Sequence, residues 1–214
     1  TGEENKTFAK IVGGYNHFVA LKADGTVWGW GANGDGEIGV GDFENRDTPT
    51  KVKAEIILDD GKKKEEEITD AIDIAAGAYH TLILRKDGTV WTSGYNDKGQ
   101  LGDGTTTTSN MFHKVKLDEQ GNYLQNIVQI ASEDNTSHAL TADGNVYSWG
   151  NNSNGQFGID AKKDINSYPQ KMQKVSNIIQ LSAGEKHVSM LDADGSVWSV
   201  GYNYYGQFGI GNAT

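Results

Sequence analysis

The chain has 214 residues, a formal charge of −10 from 29 acidic and 19 basic side chains, 28 glycines, two prolines and no cysteine. Absent cysteine excludes a disulfide scaffold, a thiolate metal site and a cysteine nucleophile. Acidity with only two arginines, Arg46 and Arg85, argues against nucleic acid or anionic lipid as a partner, and no apolar run reaches the roughly 18 residues of a membrane helix.

In chain order, a first segment of small and β-branched residues at Ile11-Val-Gly-Gly leads to His17, an apolar strand ending at Leu21, and the turn Asp24-Gly25. Val27 and Trp28 open a returning strand, followed by Gly31, Asn33, Gly36 and Gly39 and a further strand at Thr50-Lys-Val52. The same order recurs at Ile74, His80, Leu84, Asp87-Gly88, Val90, Trp91, Gly94, Asn96, Gly99 and Gly102, with a last strand at Lys114-Val115. A third copy runs through Ile130, Leu140, Asp143-Gly144, Val146, Tyr147, Gly150, Asn152, Gly155 and Gly158 to Lys171-Met172. The fourth runs through Leu181, His187, Leu191, Asp194-Gly195, Val197, Trp198, Gly201, Asn203, Gly206 and Gly209, and stops before its outer strand. Four registered copies are a repeat architecture.

Asp-Gly between two apolar-aromatic runs specifies a tight hairpin, because glycine tolerates positive φ and Asp bonds its own turn backbone. Each copy therefore reads as a four-stranded antiparallel meander, the blade of an all-β propeller. No segment sustains a 3.6-residue period for three turns, so no helix is expected. The expected blades are 8–53, 70–116, 126–173 and 177–214, the last incomplete, in a single repeat domain spanning 1–214. Hairpin outgrowths are expected near 54–69 and 117–125. The run Lys62–Lys64 followed by Glu65–Glu67 is read as a self-neutralising solvated hairpin.

The third copy is irregular. Thr136 stands where the others have His17, His80 and His187, and Glu133 stands where they have Gly14, Gly77 and Gly184. His138 is close by but aligns with Leu82. The three aligned histidines cannot converge on one metal, since equivalent positions are spread around a toroid. Each is expected to be buried and hydrogen-bonded within its own blade. Trp28, Trp91 and Trp198, and the turn residues Gly25, Gly88, Gly144 and Gly195, are read as structural repeat positions. Asn152-Ser-Asn154-Gly155 lacks the first ligand of a calcium loop, Gly150 standing in its place. No phosphate loop or nucleophile elbow occurs, so neither cofactor, metal nor enzymatic activity is expected.

The motifs Ile74-Ala-Ala-Gly-x-x-His80, Asp87-Gly-x-Val-Trp91, Gly94-x-Asn96-x-x-Gly-Gln-Leu-Gly102, Gly155-Gln-Phe-Gly158 and Gly206-Gln-Phe-Gly209 resemble the regulator-of-chromosome-condensation repeat. The first copy departs from it, with Glu37 where the others carry Gln. The resemblance covers about residues 8 to 211. It implies a propeller, typically of seven blades, of which this chain holds about four. Members act as nucleotide exchange factors, ubiquitin-ligase accessory domains, light sensors, and secreted inhibitor or surface proteins. Function does not follow from fold. The wedge motif of the exchange factors and the Gly-Trp-Arg-His-Thr signature of the light sensors have no counterpart here.

The expected function is a non-catalytic protein-interaction module of a bacterial surface or secreted protein. The alternatives are a guanine nucleotide exchange factor for a small GTPase and a carbohydrate or cell-wall adhesin. Tyr202, Tyr204 and Tyr205 are the candidate partner contact, since other copies place polar residues or glycine in that loop and tyrosine suits interfaces. The chain starts at Thr1 without Met or a signal-like segment, as a processed protein or a piece of a longer one would. With terminal blade faces uncapped, homo-association through them, such as a dimer completing the ring, is also expected.

Overall fold

The structure is a computed structural model and describes residues 8–58, 60–159 and 164–213. Residues 1–7, 59, 160–163 and 214 lie outside it, and with them the expected ends of the domain, the tip of the first outgrowth and part of the third blade's loop.

The first blade is a four-stranded antiparallel sheet in the order β1 (Phe8–Gly13), β2 (His17–Lys22), β3 (Val27–Gly31), β4 (Arg46–Lys51). After it come a hairpin, β5 (Lys53–Ile57) and β6 (Lys63–Glu67), and the second blade, β7 (Ala71–Ala76), β8 (His80–Arg85), β9 (Val90–Gly94) and β10 (Ser109–Lys114). The third blade comprises β11 (Ile127–Glu133), β12 (Thr136–Thr141), β13 (Val146–Asn151) and β14 (Ile165–Lys171). The fourth has three strands among the described residues, β15 (Ile178–Gly184), β16 (His187–Asp192) and β17 (Val197–Gly201). The first strands β1, β7, β11 and β15 lie beside one another and line the axis. Crowding there is what their small residues accommodate.

One expectation needs correction. The outer strands lie earlier than Thr50–Val52, Lys114–Val115 and Lys171–Met172 indicated. Their pairing begins near Arg46 and Ile165, and Val52, Val115 and Met172 sit just past the strand ends in the core. Strands such as Arg46-Asp-Thr-Pro-Thr-Lys51 pair through their backbone and carry no apolar alternation to mark them. The hairpin expected near 54–69 is present as β5 and β6, and it is joined to the second blade. Its β5 pairs in parallel with β10 through Ala54 and Phe112, extending the second blade to six strands. Its mixed charges are neutralised within the hairpin by the Lys53–Glu65 and Lys63–Glu55 ion pairs and against β4 by Lys51–Glu67.

Strand alternation sends one set of residues toward the preceding blade and the other toward the following blade. Val19, Leu21 and Val27 meet Ile74, Ile83, Trp91 and Phe112 at the first junction. Leu82, Leu84 and Val90 meet Ile127, Ile130, Ala139 and Trp149 at the second. Leu140, Val146 and Met172 meet Ile178, Leu181, Val188 and Met190 at the third. The core is thus between blades, with each fully buried large side chain worth about 2 kcal/mol.

Candidate functional site

The hairpin chemistry places two kinds of loop at one end of the blades. In each copy the second strand starts opposite the end of the third, as in His17 with Gly31, and Ala32 N–H donates to Asn16 C=O at 2.8 Å. Tyr95 N–H donates likewise to Tyr79 C=O, and Tyr202 N–H to Lys186 C=O. The loops joining first to second strands and those following third strands therefore form one face. The Asp-Gly turns form the other.

On the turn face, Gly25, Gly88, Gly144 and Gly195 take φ of +86°, +77°, +78° and +87°, where a side chain would be strained. The carbonyls of Gly25, Gly88 and Gly144 accept from Ala71, Ile127 and Ile178 of the next blade at 3.1 Å. Trp28 Nε1 donates to Thr26 Oγ1, which donates to Asp24 Oδ1; Trp91, Thr89 and Asp87 repeat the relay. The Thr26 bonds hold the Asp24 carboxyl below its usual range. Trp198 reaches Asp192 Oδ2 instead, and is half-exposed where Trp91 is buried. Lys22 over Trp28 and Arg85 over Trp91 complete a structural role for these rings.

The sequence led to the expectation that each histidine is buried and bonded within its own blade; instead His17 and His80 bond to the next blade, and His187 is only half-buried. His17 Nε2 lies 3.1 Å from Thr81 Oγ1 of the second blade, whose hydrogen is committed to Glu37 C=O at 2.7 Å. His80 Nε2 lies 2.9 Å from Ser137 Oγ of the third blade, whose hydrogen goes to Gln100 C=O, and 2.9 Å from Ser132 Oγ. Each hydroxyl has one hydrogen and has spent it, so each imidazole carries its proton on Nε2 and donates. Nδ1 of both is buried without a partner. Burial pushes His17 down to about 4 and, with a contribution from His17, His80 down to about 3.

At the third junction the pattern is replaced as a whole. Thr136 has no ring to offer, and Val188 stands where Thr81 and Ser137 stand. The other copies need glycine three residues before the histidine because a Cβ on Gly14 or Gly77 would lie 2.2 Å from the ring's Cε1. With no ring, Glu133 is admitted. Its carboxyl is buried without a hydrogen-bond partner, 3.9 Å from Nε2 of the fully buried His138. Burial first, then Asp134 and Glu185, push Glu133 up to about 9, while burial pushes His138 down to about 3. Both are neutral at pH 7.

The loop face carries the exposed aromatics. Tyr202 stacks on Tyr204 at 6.1 Å, and Tyr205 meets Tyr204 edge-on at 5.0 Å. Tyr204 and Tyr205 remain 63% and 80% exposed, so the three rings pack on one another and leave their outer surfaces open. A second ladder runs across the first two blades, with Tyr15 edge-on to Tyr79 at 5.2 Å and Tyr79 to Tyr95 at 6.3 Å. Beside it a groove of about 290 Å³ is lined by Tyr15, Glu133, Asp134 and Glu185 among glycines and alanines. The ladder was missed from sequence. The available signal was that Tyr95 and Tyr202 share one repeat position and that Tyr15 and Tyr79 both fall just before the histidine. No group of three potential metal ligands occurs among the described residues, and no described helix is long and apolar enough to cross a membrane.

Family models described as the regulator of chromosome condensation (RCC1) repeat match residues 24–84, 87–140 and 143–191, and a second form matches 8–37, 71–100, 127–156 and 178–207. The chain is 33% identical over 207 residues to the ultraviolet-B receptor UVR8 of Arabidopsis thaliana, covering 95% of this chain and 43% of that protein. It is 32% identical over 142 residues to the human regulator of chromosome condensation, covering 65% of this chain and 33% of that protein. The solved structure of Prp20p from Saccharomyces cerevisiae superposes with a TM-score of 0.71 at 21% identity, covering 97% of this chain and 48% of that one. The chain thus spans less than half the length of these relatives. On its repeats and its blade architecture alike, the chain belongs to the regulator of chromosome condensation repeat family.

Proposed function

We propose that the chain is a non-catalytic protein-interaction module that recognises a protein partner through its loop face. The observation that carries this is the exposed, mutually stacked Tyr202–Tyr204–Tyr205 cluster. Rings already held by one another lose little entropy on binding and offer large area with a polar tip. Asp134 and Glu185, on the same face, favour a partner with basic side chains. Replacing Tyr204 and Tyr205 together by Ala is expected to weaken partner capture at least tenfold while leaving the unfolding midpoint within about 2 °C, since both rings lie outside the core. Unchanged capture by a folded double variant refutes the assignment of the face.

A second reading, action on a small GTPase, is favoured by the similarity to the human regulator of chromosome condensation and to Prp20p, whose structure was reported with its binding properties to Gsp1p. Release of a fluorescent guanine nucleotide from a small GTPase separates the two. Acceleration by the chain supports exchange, and no acceleration together with tyrosine-dependent capture supports simple recognition.

A further inference from the structure

The outer faces of the first and fourth blades are uncovered at the positions that internal junctions bury. Val197 is 68% exposed, whereas Val27, Val90 and Val146 at the same repeat position are at most 1% exposed. Ile11 is 58% exposed, whereas Ile74, Ile130 and Leu181 are at most 4%. His187 is part-exposed where His17 and His80 are buried. Among the described residues, Gly195 C=O has no counterpart of the next-blade donor that Gly25, Gly88 and Gly144 each have. Both faces are therefore blade-contact surfaces.

What each face accepts can be read from the three internal junctions. Where a blade presents His, the next presents a hydroxyl one residue after its own histidine position, as Thr81 and Ser137 do. Where a blade lacks His, the next presents an apolar residue, as Val188 does. We infer that this pairing is a docking code, and that the fourth blade's open face takes a further repeat blade bearing Ser or Thr at that position. The hydroxyl would accept from His187 Nε2 and donate to Gln207 C=O, the counterpart of Glu37 and Gln100. The first blade presents Phe18 there, stacked on Trp30 at 5.8 Å, and so calls for a preceding blade without His. The chain's two open faces do not satisfy each other: head-to-tail contact with a second copy would set the His187 N–H against a phenyl ring. The expected ring-completing dimer is disfavoured on this ground, and since the chain spans less than half of its relatives, the occupant is another repeat.

The test exploits internal register, because Gly206, Gly209 and Gly211 align with Gly99, Gly102 and Gly104. Residues 105–173 are appended after Gly211 in place of 212–214, supplying an outer strand and a fifth blade that carries a copy of Ser137. A second form has Val at that copied serine. The serine form is expected to melt about 3 °C or more above the valine form, as one buried hydrogen bond and its unpaired donor require. It should also slow carbethoxylation of His187 at least tenfold relative to the unextended chain. Equal midpoints in the two forms overturn the code, as does a dimer of the unextended chain that protects His187. Should neither form fold, Thr81→Val in the native chain decides: a midpoint lowered by about 3 °C or more upholds the code, and an unchanged one overturns it.

Discussion

Acidification from pH 6.5 toward pH 4 is expected to unfold the chain steeply, before most carboxylates are protonated. His17 is held neutral down to about 4, and His80 and His138 down to about 3, all by burial. In the unfolded chain the same rings take up protons near 6.5. Below that value the unfolded state therefore binds more protons, and each ring removes about 1.4 kcal/mol per pH unit. Three together remove about 4 kcal/mol per unit, against a total stability of about 5–15 kcal/mol. Because Glu133 is protonated in the folded state and ionised in the unfolded state over most of the same range, circular dichroism should show a cooperative acid transition with a net slope of about two protons. Glu133 acts in the opposite sense. Its folded value of about 9 means that its contribution is fully present below about 4.5 and is lost as pH rises toward 9. Glu133→Gln is accordingly expected to raise the thermal midpoint at pH 8 by several degrees and to leave it unchanged at pH 4. Parallel pH–midpoint curves for wild type and variant contradict this account of the buried acid.

The second large effect concerns Gly94. Its φ is +119°, and a Cβ would lie 2.4 Å from Tyr79 C=O and 2.6 Å from His80 Cα, both backbone. Neither can yield without breaking the Tyr95 N–H to Tyr79 C=O bond, which closes the loop face of the second blade beside the His80 bridge. Gly94→Ala is expected to cost on the order of 4 kcal/mol or to prevent folding. Gly121→Ala has φ of +87° but open space around the new methyl, so it should cost only about 1 kcal/mol, the local backbone strain. Urea unfolding of the two variants measures the difference. Similar losses would place the cost in φ alone rather than in the close approach.

How much of this was legible depended on whether a signal is repeated. Asp24-Gly25 and its three counterparts report a local turn, and four copies in register identify the hairpins and the blade. The direction in which a histidine points is not local. Strand alternation puts His17 on one face of β2, but only the assembled structure shows that this face meets Thr81, more than sixty residues away. The parallel pairing of β5 with β10 was hidden for the same reason, since a single contact between Ala54 and Phe112 leaves no pattern in either segment. Tyr202, Tyr204 and Tyr205 stood out because they break the polar habit of their loop. The Tyr15–Tyr79–Tyr95 ladder did not, because its members come from different loops and different repeat positions. Irregularity proved as informative as repetition. Glu133, Thr136 and Val188 are three departures that look independent in sequence and form one substituted junction in space.

The recognition face is tested most directly by placing a photo-reactive phenylalanine analogue at Tyr205, on the loop face, and separately at Asp143, on the turn face. Irradiation in a lysate of the source organism should join position 205, and not position 143, to one discrete protein, with the adduct lost when Tyr204 is also replaced by Ala. Adducts from position 143 alone, or equal labelling from both, would contradict recognition through the tyrosine-bearing face.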